Sequence, residues 1–123
     1  MSTMSVSGGF SSLGRIVTIT NPYVEITLHQ ALELEMQGKY QEAIEIYDQV
    51  LEMDPHEGRA HLAKGNIYDL MGRFDDAISC YDSSLECDPS NAETWYNKGV
   101  TLGKMGCSEE SAECMLQGVS RAL

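Results

Sequence analysis

Four thiols offer the most conspicuous chemistry in the chain: Cys80, Cys87, Cys107 and Cys114 fall into two pairs, each seven residues apart. A tetrahedral zinc needs its sulfurs at about 2.3 Å from the metal, whereas residues seven apart on a helix are separated by ~10 Å along its axis. Neither pair can supply two ligands to one ion from a single helix. The four are expected as buried or half-buried thiols, without a metal and, in a reducing compartment, without a disulfide. His29, His56 and His61 are too scattered to complete a catalytic triad, and no serine sits in a nucleophile-elbow context. The acid pairs Asp75-Asp76 and Glu109-Glu110 fall near the starts of helical patterns, where carboxylates favour the macrodipole. Ser7-Gly8-Gly9 lacks the lysine of a phosphate loop and the strand before it. The expectation is a chain that is not an enzyme and carries no cofactor.

Charge narrows the partners. Nineteen acidic against eight basic side chains give a formal charge of -11, and no Lys or Arg cluster interrupts it. Phosphate-rich surfaces, both nucleic acid and anionic membrane, are therefore poor partners. Hydrophobic residues make up 42% of the chain and are spread through it. No run approaches the ~18 consecutive apolar residues of a membrane span. Met1 to Gly9 lacks the basic start and apolar stretch of a secretion signal, so a cytoplasmic location is expected. With 123 residues, the chain has material for one domain.

These residues are positioned by a repeat. Leu51-Glu52-Met53-Asp54-Pro55 falls on Leu85-Glu86-Cys87-Asp88-Pro89 at an offset of 34, and Gly38-Lys39-Tyr40-Gln41-Glu42-Ala43-Ile44 falls on Gly72-Arg73-Phe74-Asp75-Asp76-Ala77-Ile78 at the same offset. Between Glu42 and Met53 the apolar residues Ala43, Ile44, Ile46, Tyr47, Val50, Leu51 and Met53 recur at three and four, lining one face of a helix. Glycines at 38, 72 and 106 supply the positive φ that ends a helix, and Asp54-Pro55 and Asp88-Pro89 stop the next one. Asn21-Pro22 predicts a cap followed by a proline at the first helical position, and Ser90-Asn91-Ala92-Glu93 has the spacing of a capping box.

On these residues the chain resembles the tetratricopeptide repeat family. The second unit supplies Gly65, Tyr68, Ala77, Tyr81 and Pro89 of the family pattern, with His61 where tryptophan is usual. The third supplies Trp95, Gly99 and Leu102; the first supplies Ala31, Leu34, Ala43, Tyr47 and Pro55. The resemblance implies an all-α, right-handed superhelical stack of three antiparallel helix-turn-helix repeats, at 24–57, 58–91 and 92–123, after an N-terminal segment, 1–23, expected to be mostly disordered. Tyr47 and Tyr81 are expected to fill the space between layers. The third unit departs from the pattern, with Ser111 for alanine, Met115 for the aromatic and Leu123 for proline. Gly118 inside its last helix costs about 1 kcal/mol of helix propensity, so that helix is expected to be the loosest.

In the family the first helix of each hairpin lines a concave face. What this implies here is a groove built from Glu25, Leu28, His29 and Leu32, then Arg59, Leu62 and Asn66, then Glu93, Tyr96, Asn97 and Val100. Its leucines, tyrosine and valine can hold an apolar anchor while Asn66 and Asn97 bond a peptide backbone. The expected function is that of an adaptor binding a peptide or helix of a partner protein. Family members that act as co-chaperones hold a C-terminal carboxylate with lysine, asparagine and arginine. The corresponding positions here are Leu28, Leu32, Ala63, Glu93 and Asn97, none of which keeps the clamp residue. Starting one hairpin later recovers Asn66 and Asn97 but puts Leu62 at a lysine position, so the tails of the large cytosolic chaperones are not expected as partners.

Both ends carry expectations of their own. Arg15-Ile16-Val17-Thr18-Ile19-Thr20 is β-prone, a candidate to occupy the groove or to pair with another copy. Ala112, Met115, Leu116, Val119 and Leu123 form an apolar set on the last helix with no capping helix after it. That set predicts a homodimer through the C-terminal helix, a self-associating structural module, or a piece of a longer array.

Overall fold

The computed structural model describes residues 21–123, which form six helices: α1 (Pro22–Met36), α2 (Tyr40–Met53), α3 (Gly58–Leu70), α4 (Phe74–Cys87), α5 (Ala92–Lys104) and α6 (Ser108–Ala122). The expectations for the Ser- and Gly-rich start and the β-prone stretch, residues 1–20, lie outside the described residues. The first helix begins two residues ahead of the repeat start expected at 24, because the Asn21 side chain accepts from the Tyr23 N–H at 2.9 Å and Pro22 opens the first turn.

A glycine turn closes all three hairpins, and an aspartate turn ends the first two. At Gly38, Gly72 and Gly106 the backbone takes φ of 79°, 78° and 85°, and the following N–H turns back to an earlier carbonyl, as in Lys39 N–H to Leu34 at 2.9 Å. At Asp54 and Asp88 the chain leaves the helix with φ of -147°, and each aspartate accepts the N–H two residues on, from His56 at 3.0 Å and from Ser90 at 3.1 Å. That second turn corrects one expectation. Ser90 is tied to Asp88, so the cap of α5 is Asn91, whose side chain accepts from the Thr94 N–H at 3.1 Å, and Glu93 falls one position early for a capping box.

Small residues face large ones across every hairpin. A Cβ placed on Gly65 would lie 2.6 Å from the Tyr81 ring, and one on Gly99 would lie 2.8 Å from Met115. Ala31 and Tyr47 hold the equivalent places in the first hairpin, and both are buried. Met115 therefore fills the site the sequence reserves for an aromatic, on the inner face of α6. The tryptophan position is also conserved in function: Trp95 donates its indole N–H to the Pro89 carbonyl at 2.8 Å, and His61 Nε2 lies 3.1 Å from the Pro55 carbonyl. A carbonyl only accepts, so this bond needs the proton on Nε2.

Successive hairpins pack in chain order, α2 against α3 and α4 against α5, and α3 also touches α5. Two ion pairs repeat at the 34-residue offset, Lys64 to Asp48 and Lys98 to Asp82, both at 2.6 Å. Thr101 and Lys104 of α5 bond the two oxygens of Asp69 on α3, each at 2.7 Å.

The last helix is better seated than its sequence suggests. Ser111 is buried and donates to the Gly99 carbonyl at 2.7 Å. Gly118 is also buried, and a Cβ there would stand 3.1 Å from both the Ala92 carbonyl and the Tyr96 nitrogen. Its lost helix propensity is thus offset by the close approach of α6 to α5, a role that helix periodicity cannot reveal. Arg121 lies over the Trp95 ring at 5.0 Å and donates to the Pro89 carbonyl at 3.0 Å.

Candidate functional site

The first helices of the three hairpins lie side by side, and their shared surface holds two clefts. The first, of ≈340 Å³, runs between α1 and α3: Glu25, Leu28, His29, Leu32 and Glu35 line one wall, Arg59, Leu62, Ala63 and Asn66 the other, and Tyr47 of α2 forms part of the floor. The α1 residues recur at three and four, so they share one helical face. The second cleft, of ≈240 Å³, lies between α3 and α5 and is lined by Asn66, Asp69, Leu70, Asn97, Val100 and Thr101 with Tyr81 of α4. Asn66 borders both.

Most of the residues picked from sequence therefore converge. Leu28, His29, Leu32, Arg59, Leu62 and Asn66 meet in the first cleft, and Asn97 and Val100 in the second. Tyr96 lines neither; it is 49% exposed, and its backbone nitrogen and Cβ stand against α6 beside Gly118. Glu93 is exposed in the first turn of α5, outside both. Sequence reasoning missed Glu35, although it stands three residues beyond Leu32 on the same face, and Asp69, one 34-residue step further on. Tyr47 and Tyr81, expected between the layers, are buried there, yet both reach a cleft.

Hydrogen bonding fixes the polarity of this surface. Tyr47 donates its hydroxyl to Glu35 at 2.8 Å, and Tyr81 donates to Asn66 at 2.8 Å. Burial, then the bond to Glu35 and its charge, pushes the Tyr47 hydroxyl well above its ordinary pKa; burial pushes Tyr81 up to about 12. Both remain neutral donors at any physiological pH. Asn97 donates to the same Asn66 oxygen at 3.0 Å, so each asparagine has half of its amide committed within the protein. What the pair still presents is the Asn66 amide nitrogen and the Asn97 side-chain oxygen. Arg59 is held on both sides: its Nε donates to Glu57 at 2.7 Å and its Nη2 to Glu25 at 2.8 Å. The hydrogen bond from Arg59 holds the Glu57 carboxyl below its usual range.

The thiols sit away from these clefts in chemical character. Cys114 is buried and the other three are partly so, and burial pushes the thiols of Cys80, Cys87 and Cys114 up, which lowers the thiolate fraction. Among the described residues no three His, Cys, Asp or Glu side chains are grouped to share a metal ion, and no helix is long and apolar enough to cross a membrane.

A family model described as tetratricopeptide repeat matches residues 34–97, and a second of the same description matches 92–122. The chain belongs to the tetratricopeptide repeat family. No curated protein sequence matches it. Among solved structures it is similar to MamA, at 19% identity and a TM-score of 0.78, covering 80% of this chain and 58% of that one. This repeat protein is also similar to SycD, described as the type III secretion translocator chaperone of Yersinia enterocolitica, at 20% identity and a TM-score of 0.79, covering 83% and 77%. The first tetratricopeptide module of Spaghetti (RPAP3), solved bound to the HSP90 peptide SRMEEVD, aligns at 17% identity and a TM-score of 0.79, covering 84% and 82%. At such identities the likeness is one of fold. The chain spans little more than half the length of MamA, 58%.

Proposed function

We propose that this chain is an adaptor that holds a segment of a partner protein in the groove formed by α1, α3 and α5. The observation that carries the proposal is the cleft in which Leu28, Leu32 and Leu62 converge beside His29, Arg59 and Asn66, continued by Asn97 and Val100. Leu32 is 45% exposed there, and covering a leucine contributes up to ~1.5–3 kcal/mol. The polar groups at the cleft edges can fix the direction of an extended or helical guest. Family membership supports an interaction role and offers nothing toward catalysis; a cytoplasmic partner protein fits the acidic surface better than nucleic acid or an anionic membrane. The SRMEEVD peptide of the Spaghetti module is not carried over, because Leu28 and Leu32 stand where a carboxylate clamp would place its lysine and asparagine. The test is capture of partners from native lysate by wild-type protein and by Leu62→Glu. A partner bound at least tenfold more weakly by the variant is expected; equal retention would move the site off this face.

A second reading is self-association, favoured by one substitution within the repeat. Asp48 and Asp82 receive the lysine of the next hairpin, but the equivalent residue on α6 is Leu116, 68% exposed. With Ala112, Val119 and Leu123 it forms a stripe on the side that α2 and α4 turn toward their following helix. In this reading the stripe covers its counterpart on a second copy. Light scattering at high concentration should then give a dimer for wild type and a monomer for Leu116→Asp; a wild-type monomer would exclude it.

A further inference from the structure

Granting a guest in the groove as proposed above, we infer that it is a segment that places a lysine or arginine close to its apolar anchor, and not an acidic or carboxylate-terminated one.

The cations at the groove are already engaged. Around Arg59, Nε and Nη2 donate to Glu57 at 2.7 and 3.0 Å, while Nη2 and Nη1 donate to Glu25 at 2.8 and 3.4 Å. Each of its three nitrogens makes a bond, using four of its five N–H groups, and two carboxylates surround one positive charge. An incoming carboxylate would find one N–H of Nη1 left and would face both carboxylates. At the other end, Lys104 reaches Asp69 at 2.7 Å. Among the described residues, the arginine and the lysine at these clefts both have carboxylate partners.

Glu35 is the opposite case. It lines the leucine cleft, and among the described residues its side-chain hydrogen bond is to the neutral Tyr47 hydroxyl at 2.8 Å. Among the described residues no lysine, arginine or histidine makes an ion pair with it, whereas Glu25, Glu57 and Asp69 each have one. Tyr47 is buried and is the donor in this bond, so the Glu35 carboxylate has lone pairs to spare. A guest ammonium or guanidinium can bond there while its neighbouring apolar side chain lies on Leu28, Leu32 and Leu62. A net charge of -11 over the chain draws such a guest in and repels an acidic one.

The experiment is selection of a phage-displayed random peptide library on the full chain, with Leu62→Glu as counter-selection so that only groove-dependent peptides are kept. Those peptides should be enriched in Lys and Arg next to an aliphatic or aromatic residue. A selected peptide should bind Glu35→Gln about three- to tenfold more weakly than wild type, as loss of a partly exposed charge-assisted hydrogen bond requires. Its affinity for wild type should fall with added salt more steeply than its affinity for the variant. The glutamine can still accept from Tyr47, so Glu35→Gln should melt close to wild type, and that is checked by circular dichroism. Groove-dependent peptides without excess cations, or equal binding to Glu35→Gln, would overturn the inference and leave the groove standing. Recovery only of peptides that bind Leu62→Glu equally well would overturn the groove, and the inference with it.

Discussion

Single residues in this protein act through what stands opposite them in the neighbouring helix. Gly118 is the clearest case, because its helix propensity and its packing make opposite forecasts. Gly118→Ala should gain about 1 kcal/mol from the helix but lose ~1–3 kcal/mol from pushing a methyl against the α5 backbone. The expected outcome is a net loss of stability, read from the urea midpoint; a higher midpoint would show that α5 and α6 can part to admit it. Glu57 carries a pH dependence. Its carboxyl is held below its ordinary range by Arg59, so it contributes stability that is present above the unfolded value of about 4.3 and is lost as pH falls through the folded value. Glu57→Gln should therefore lose less stability than wild type between about pH 5 and pH 3, when denaturant midpoints are compared across that range.

Between elements, polar ties of different burial should carry different weight. Asp48 pairs with Lys64 across α2 and α3; its side chain is 52% exposed and that of Lys64 16%, and the freed ammonium can swing to solvent on its flexible stem. Removing it as Asp48→Ala should cost under about 1 kcal/mol. Asp69 is only 14% exposed and accepts from Thr101, which is fully buried, as well as from Lys104. Asp69→Ala would leave the threonine hydroxyl without that acceptor inside the α3–α5 contact, and a loss of about 1–3 kcal/mol is expected. Thermal melts of the two variants side by side check the order. Equal small losses would mean that apolar packing alone sets the register of α5 on α3.

For the whole molecule, contacts that run in chain order make stability close to a sum of hairpin and interface contributions. The helices α3 and α4 are covered by neighbours on both sides, whereas α1 and α6 each have an end of the described stack beside them. Hydrogen exchange should be slowest in α3 and α4 and fastest in α1 and α6. Uniform protection across all six helices would instead show one cooperative unit. At this scale the acidic charge bears on the proposed recognition, since a surface rich in carboxylate would favour a cationic guest over an acidic one.

The 34-residue offset, the glycines at 38, 72 and 106 and the Asp-Pro stops were enough to read six helices and their order, because helix periodicity and turn chemistry are local properties of the chain. The family resemblance implied that Leu28, Leu32, Leu62 and Asn66 share one face, and they line one cleft. It could not show that Arg59 is clasped by Glu25 and Glu57, that Asn66 and Asn97 bond each other, or that Glu35 accepts from the Tyr47 phenol. Each of these depends on which atoms of another helix lie within three or four ångströms. That distance is set by how closely the backbones approach, so only the packed structure decided it.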